Sequence, residues 1–134
     1  MDGQGVCWGL SRDGQTTVPA GRYTQISAGN WDSCAVTVDG QGGCWGADYF
    51  GEGGTVPAGT FTQISVGDFN SCALTTAGTA LCWGSNEDGR STVPAGSYTQ
   101  ISNGNDHVCA LTTAGEAVCW GRNRQGQTRV PAGT

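Results

Sequence analysis

Apolar residues in this chain come in short runs, each bounded by Gly, Asn, Asp or Pro, and none repeats at the 3.6-residue interval of a helix. YTQIS at 23–27, SCAV at 33–36, GCWG at 43–46 and TVPA at 55–58 are examples. Short apolar or alternating runs between turn residues predict strands. The order then recurs. CWG begins at Cys7, Cys44, Cys82 and Cys119, at intervals of 37, 38 and 37 residues. TVPAG recurs at Thr17, Thr55 and Thr92, with RVPAG at Arg129, and TQIS at Thr24, Thr62 and Thr99. Cys34, Cys72 and Cys109 each fall eight residues after Ile26, Ile64 and Ile101, and the one extra residue lies between Trp45 and Pro57.

The chain thus divides into a half repeat at 1–21 and full repeats at 22–59, 60–96 and 97–134. Four strands in a repeat of this length make a propeller blade, whose faces are buried only by its neighbours. The expected fold is all-β, a single segment of four-stranded antiparallel β-propeller blades amounting to half a ring. Propellers close with about four to eight blades, so closure is expected to come from a homo-oligomer. A dimer brings the number of blade equivalents to seven, in the commonest closed symmetry. The half repeats of two chains carry the same strands and cannot complete one another, which leaves the junction irregular or the ring with a different count. Trp8, Trp45, Trp83 and Trp120 alternate with the adjacent cysteines and are expected between blades.

SCALTTAGTALCWG at 71–84 sets the register within a blade. A type I turn with Gly78 in the left-handed bulge position makes Thr76, Ala77 and Gly78 a hairpin loop closed by Thr75 and Thr79. Counting outwards places Cys72 opposite Cys82, as a non-hydrogen-bonded pair about 4.5 Å apart at Cα. That is within disulfide reach. Cys34 with Cys44 and Cys109 with Cys119 repeat the interval, so three disulfides are expected, each stabilising by about 2–3 kcal/mol. Free thiols buried as small apolar side chains between blades are the alternative. Cys7 has no counterpart and is expected to be unpaired.

Composition narrows the function classes. Leu, Ile, Val and Phe make up only 20 of 134 residues, against 24 glycines, seven cysteines and five tryptophans. Cysteine content of this order favours an oxidising, extracellular or secreted setting, although no signal is legible in these residues. Eleven acidic residues against six arginines, with no lysine, give a net charge of −5. That sign is wrong for a nucleic-acid partner, and no apolar run is long enough for a membrane-spanning helix. Catalysis is not expected. His107 is the sole histidine, and no Ser, His and acid arrangement recurs. Asp68 with Asn70 and Asn105 with Asp106 offer oxygen ligands, but no full calcium series follows. Neither metal nor cofactor is expected.

The copies, for instance ISNGNDHVCALTTAGEAVCWGRNRQGQTRVPAG at 101–133, resemble the repeat of the regulator of chromosome condensation family. ISxG, CAL, turn, CWG and GQ stand in the family's order and spacing across essentially the whole chain. WG-loop-GQTTVPA at 8–20 is similar to the family's secreted branch, whose members inhibit β-lactamases. The resemblance implies a propeller, typically of seven blades, acting by binding partners; the namesake is a nucleotide exchange factor for a small GTPase. This chain departs from the pattern in having half the usual repeats. Asp32 and Asn70 stand where the family has a loop histidine, present only as His107, for which a structural hydrogen-bonding role is expected.

In an antiparallel blade alternate connections emerge on opposite faces. The hairpin turns and VPAG links of one face are nearly uniform, whereas the other face varies: NWD at 30–32, DFN at 68–70, NDH at 105–107, LSRD at 10–13, ADYF at 47–50, SNED at 85–88 and RNRQ at 122–125. Aromatics amid Asp, Asn and Arg are the makeup of a recognition surface. The candidate partner-binding residues are Trp31, Asp32, Asp48, Tyr49, Phe50, Asp68, Phe69, Asn105, Asp106, Arg122 and Arg124. By resemblance to the inhibitory branch, Trp31, Tyr49, Phe50 and Phe69 are the contact aromatics. The alternative is an unconstrained surface with Trp31 and Phe69 packed on neighbouring blades. A non-enzymatic protein-binding module is the expected function. A glycan-binding propeller and a purely architectural or engineered self-assembling propeller are the other readings.

Overall fold

In the computed structural model, residues 2–49 and 56–132 are described. The first blade holds β1 (Tyr23–Ala28), β2 (Asp32–Thr37) and β3 (Gly42–Gly46). The second holds β4 (Phe61–Val66), β5 (Asn70–Thr75) and β6 (Ala80–Gly84), and the third β7 (Tyr98–Asn103), β8 (His107–Thr112) and β9 (Ala117–Gly121). Each is an antiparallel sheet in sequence order. Among the described residues none of them has the expected fourth strand. Described parts of the Val-Pro-Ala segments, at 17–20, 56–58, 92–95 and 129–132, are not strands. Proline has no N–H to give a ladder, and its segment is held by a side chain instead. Tyr23 Oη donates to the Pro19 carbonyl at 2.7 Å and Tyr98 Oη to that of Pro94 at 2.6 Å.

The hairpin register is the one the turn dictates. Thr75 N–H donates to Thr79 O at 2.9 Å and Gly78 N–H to Thr75 O at 3.0 Å, with Gly78 at φ 87°. Cys72 faces Cys82, Ala73 faces Leu81 and Leu74 faces Ala80. The disulfides Cys34–Cys44, Cys72–Cys82 and Cys109–Cys119 all form, with Cα atoms 4.0–4.1 Å apart, and Cys7 is free.

Blades are joined at their inner strands by the TQIS segments. Each inner strand carries the same register shift, between Tyr23 and Gln25, Phe61 and Gln63, or Tyr98 and Gln100. A bulge of this kind re-aims the side chain that follows, here a glutamine that crosses to the next blade. Gln25 Oε1 accepts the Ile64 N–H at 2.7 Å while its Nε2 donates to Ile64 O at 2.9 Å, and Ser27 Oγ accepts the Val66 N–H at 3.2 Å. One blade on, Gln63 Oε1 accepts from Ile101 N–H at 3.3 Å, its Nε2 donates to Thr99 O at 3.3 Å, and Ser65 Oγ accepts from Asn103 N–H at 2.8 Å. Strand edges that would otherwise present bare N–H groups are thereby satisfied.

Apolar contact fills the same junctions. Cys34, Val36, Phe61, Ile64, Val66 and Ala73 form the cluster between the first two blades, with Trp83 packed against it. Cys72, Leu74, Tyr98, Ile101, Val108, Ala110 and Trp120 form the next. Trp120 and Trp83 therefore occupy the expected place between blades. Trp8 does not: it is 82% exposed, because no described strand of its own half repeat covers it.

Candidate functional site

Six loops emerge beside the starts of β2, β5 and β8 and the ends of β3, β6 and β9. Each blade ties its own two together. Ala47 N–H donates to Trp31 O at 3.0 Å, Ser85 N–H to Phe69 O at 2.8 Å and Arg122 N–H to Asp106 O at 3.0 Å. The CWG glycine permits this approach. Gly46 and Gly121 have φ of 111° and 102°, and a Cβ there would lie 2.7 Å from Trp31 O or 2.8 Å from Asp106 O.

Asp32, Asn70 and His107 occupy equivalent places, the first residues of β2, β5 and β8, opposite Gly46, Gly84 and Gly121. Asn70 is fully buried and its Nδ2 donates to the Arg90 carbonyl at 3.1 Å. This is a bracing role between the two loops of one blade. His107 Nδ1 lies 3.8 Å from Asp106 Oδ1. Asp32 is only 1% exposed, so it does not present to a partner as the sequence reading expected. Opening β2 beneath the loop, it belongs to the support of the surface.

The remaining candidates fall into two groups and a shared rim. On the first blade Trp31 and Tyr49, both exposed, meet edge to face with ring centroids 6.2 Å apart, and Asp48 is exposed beside them. Phe50 lies outside the described residues. Between the second and third blades, a cleft of about 210 Å³ is lined by Phe69, Glu87, Asp88 and Arg90 on one side and by Asp106, Arg122 and Arg124 on the other. Arg122 Nη1 donates to Asp106 Oδ2 at 2.9 Å. The Arg90 guanidinium carbon stands 5.3 Å from the centre of the Phe69 ring, a cation–π pairing, and Arg90 Nη2 is 3.7 Å from Asp88 Oδ2. Phe69 thus packs against its own blade's loop arginine. At the axis, Asn30, Asp68 and Asn105 from three successive blades line a common mouth of about 220 Å³. Burial raises the Asp68 carboxyl above its usual range, a hydrogen bond with Asn30 partly opposes this, and the nearby charge of Asp106 adds to the rise.

Arg90 was missed in the sequence reading. Its carbonyl accepts from Trp120 Nε1 at 3.0 Å as well as from Asn70, just as the Gln15 carbonyl accepts from Trp45 Nε1 at 2.9 Å and Ser33 Oγ at 3.0 Å. The signal was the recurring Gly-Gln or Gly-Arg pair at 14–15, 89–90 and 126–127, whose backbone rather than side chain is repeated.

Three successive sheets, joined at inner strands and carrying their variable loops on one side, define a segment of a β-propeller. Residues 61–90 and 98–127 match the Regulator of chromosome condensation (RCC1) repeat, so the second and third blades are repeats of that type. The ectodomain of the receptor kinase CR4 from Physcomitrella patens superposes with a TM-score of 0.81 and 32% identity, over 98% of this chain and 39% of that one. The ectodomain of the Arabidopsis thaliana receptor kinase ACR4 gives 0.69 and 24%, over 90% and 43%. Prp20p from Saccharomyces cerevisiae gives 0.68 and 22%, over 82% and 33%, and shows the shared fold. The chain spans about two fifths of the plant ectodomains it matches. No curated protein matches it.

Proposed function

We propose that this chain is a non-enzymatic, protein-binding propeller segment whose recognition surface is the variable loop face, acting outside the cell. The observation that carries the reading is the contrast between faces. Exposed Trp31 and Tyr49, the Phe69–Arg90 pair and the Asp106–Arg122 pair all stand on the loop face, while the hairpin turns opposite are nearly uniform. Aromatic and arginine side chains are the usual anchors of interfaces. Prp20p has binding properties toward Gsp1p and histones, which is consistent with partner binding by this fold. The extracellular setting is supported by three disulfides and by the two receptor ectodomains. Open end faces add self-association to the reading, with a homodimer as the simplest form.

The test is capture of partners by the immobilised chain, compared with Trp31→Ala/Tyr49→Ala/Phe69→Ala and with Gln41→Ala/Thr79→Ala/Glu116→Ala on the opposite face. Loss with the first set alone is expected. Loss with the second set alone contradicts the assignment of the face, and binding of a glycan array through Trp31 and Tyr49 transfers the site to sugars. Light scattering reads the association state against the 13.7 kDa monomer.

A further inference from the structure

Three of the six arginines of this acidic chain, Arg90, Arg122 and Arg124, line the cleft of about 210 Å³ between the second and third blades. Their states of pairing differ. Arg122 Nη1 donates to Asp106 Oδ2 at 2.9 Å. Arg124 is exposed and, among the described residues, has no ion pair. Arg90 combines burial with poor pairing. Its side chain is 5% exposed, yet the carboxylate beside it, on Asp88, stands 3.7 Å from Nη2 and is itself 35% exposed. Of the five N–H donors of a guanidinium, the Nε–H of Arg90 reaches the Glu87 carbonyl at 2.8 Å, and among the described residues the Nη groups donate to no acceptor. A buried charge is ordinarily both paired and hydrogen-bonded. The Phe69 ring, 5.3 Å from the guanidinium carbon, covers one face, which leaves the edge of the fork free for the planar group it matches, a carboxylate. The loop that carries Arg90 is also held in advance: Asn86 Oδ1 accepts the Ser91 N–H at 2.9 Å, and Ser91 Oγ donates to Ser85 O at 2.7 Å. Preorganisation of this kind lowers the cost of binding.

We infer that this cleft is a subsite for one acidic side chain of a protein partner, its carboxylate bonded to the Nη groups of Arg90 and drawn in by Arg124. The inference rests on the partner reading of the loop face and names the chemistry the partner presents there. A single carboxylate is what the cleft lacks. Asp106 is already neutralised by its bond to Arg122, whereas the buried charge of Arg90 has only a partly exposed, solvent-screened neighbour in Asp88. Glu87 is exposed and also lines the cleft. With Asp88 it repels a ligand that carries a run of anionic groups, such as a sulfated glycan, more than it repels one carboxylate.

The probe is the blocked peptide N-acetyl-Gly-Glu-Gly-amide, titrated into the 134-residue protein while the arginine Nε–H signals are followed by NMR. A saturable shift at Arg90 is expected, with binding at least about tenfold weaker for the Gln peptide, because charge-assisted hydrogen bonds are the stronger kind. Arg90→Gln should lose the saturable phase. Since Arg90 also packs on Phe69, two variants at the rim carry the test without removing that contact. Arg124→Gln should weaken binding about threefold, in the range of an exposed charge pair. Asp88→Asn should tighten it by a similar factor: Asp88 sits at φ 57°, a conformation asparagine also tolerates, so the turn is kept and the competing carboxylate is lost. Equal affinity for the Glu and Gln peptides, or weaker binding by Asp88→Asn, would overturn the assignment, and tighter binding of a heparin hexasaccharide would transfer the cleft to sulfated glycans. If the Glu peptide fails while Trp31→Ala/Tyr49→Ala still loses a protein partner, the subsite falls and the loop-face reading stands. If the peptide binds at Arg90 while capture of proteins is indifferent to Trp31 and Tyr49, the carboxylate site stands and the wider reading falls.

Discussion

The second blade and the half repeat carry nearly the same letters and lead different lives. In the second blade a neighbour covers each face: β5 is buried at every position from Asn70 to Leu74, and Leu81, Cys82 and Trp83 are packed into the junctions. In the half repeat Val6 and Trp8, the equivalents of Leu81 and Trp83, face solvent. The third blade falls between. Its β8 alternates between buried and half-buried, because the second blade covers one face and no described strand covers the other. Burial here belongs to the junction between blades and not to the sequence of one, as expected of repeats whose stability is a sum of interface terms.

The sharpest way to break this comparison is to truncate equivalent tryptophans. Trp120→Ala removes a buried indole and its bond to Arg90 O, and chemical denaturation should show a loss of about 3–5 kcal/mol. Trp8→Ala should stay within about 0.5 kcal/mol. Equal losses would mean that the half repeat is as well packed as a blade. Cysteines give the next contrast. Cys72→Ser/Cys82→Ser opens a hairpin cross-link and should cost about 2–3 kcal/mol, whereas Cys7→Ser should leave the denaturation midpoint of the reduced-free chain unchanged.

The smallest effect separates the axial mouth from the rest of the loop face. The Asp68 carboxyl is raised above its ordinary value, mainly by burial, so the folded state holds its proton to higher pH than the unfolded chain does. Its charged form therefore weakens the fold at neutral pH, and that penalty is relieved as pH falls through the raised value. Asp68→Asn should raise the melting temperature slightly at pH 7, within the range of a surface substitution. The gain should fade as pH drops toward the ordinary aspartate range. A gain that grows on acidification would contradict the sign.

Much of this was legible in the residues. The repeat phase placed every inner and central strand, and the turn at Thr75–Gly78 fixed the pairing of Cys72 with Cys82. Fourth strands were over-read because TVPA has a strand's apolar content while Pro19 and Pro94 serve as acceptors for a tyrosine hydroxyl. Trp8 was over-read because its letters match Trp120, yet its burial depends on strands outside the repeat. At the loop face, Trp31 and Tyr49 were singled out from loop variability together with the family resemblance, and both side chains are exposed. Asp32 was not separable from them, since a residue that opens a strand and one that tips a loop are adjacent in sequence. Arg90 escaped because what repeats there is a carbonyl oxygen, which carries no side-chain signature.

The central claim is that blades are held together by glutamine and serine side chains reaching across to the next inner strand. Amide hydrogen exchange on Gln63→Ala/Ser65→Ala tests it directly. Ile101 and Asn103, whose N–H groups these side chains accept, should lose protection relative to the parent chain, while Ile64 and Val66, served by Gln25 and Ser27, keep theirs. Unchanged protection at Ile101 and Asn103 would contradict the claim.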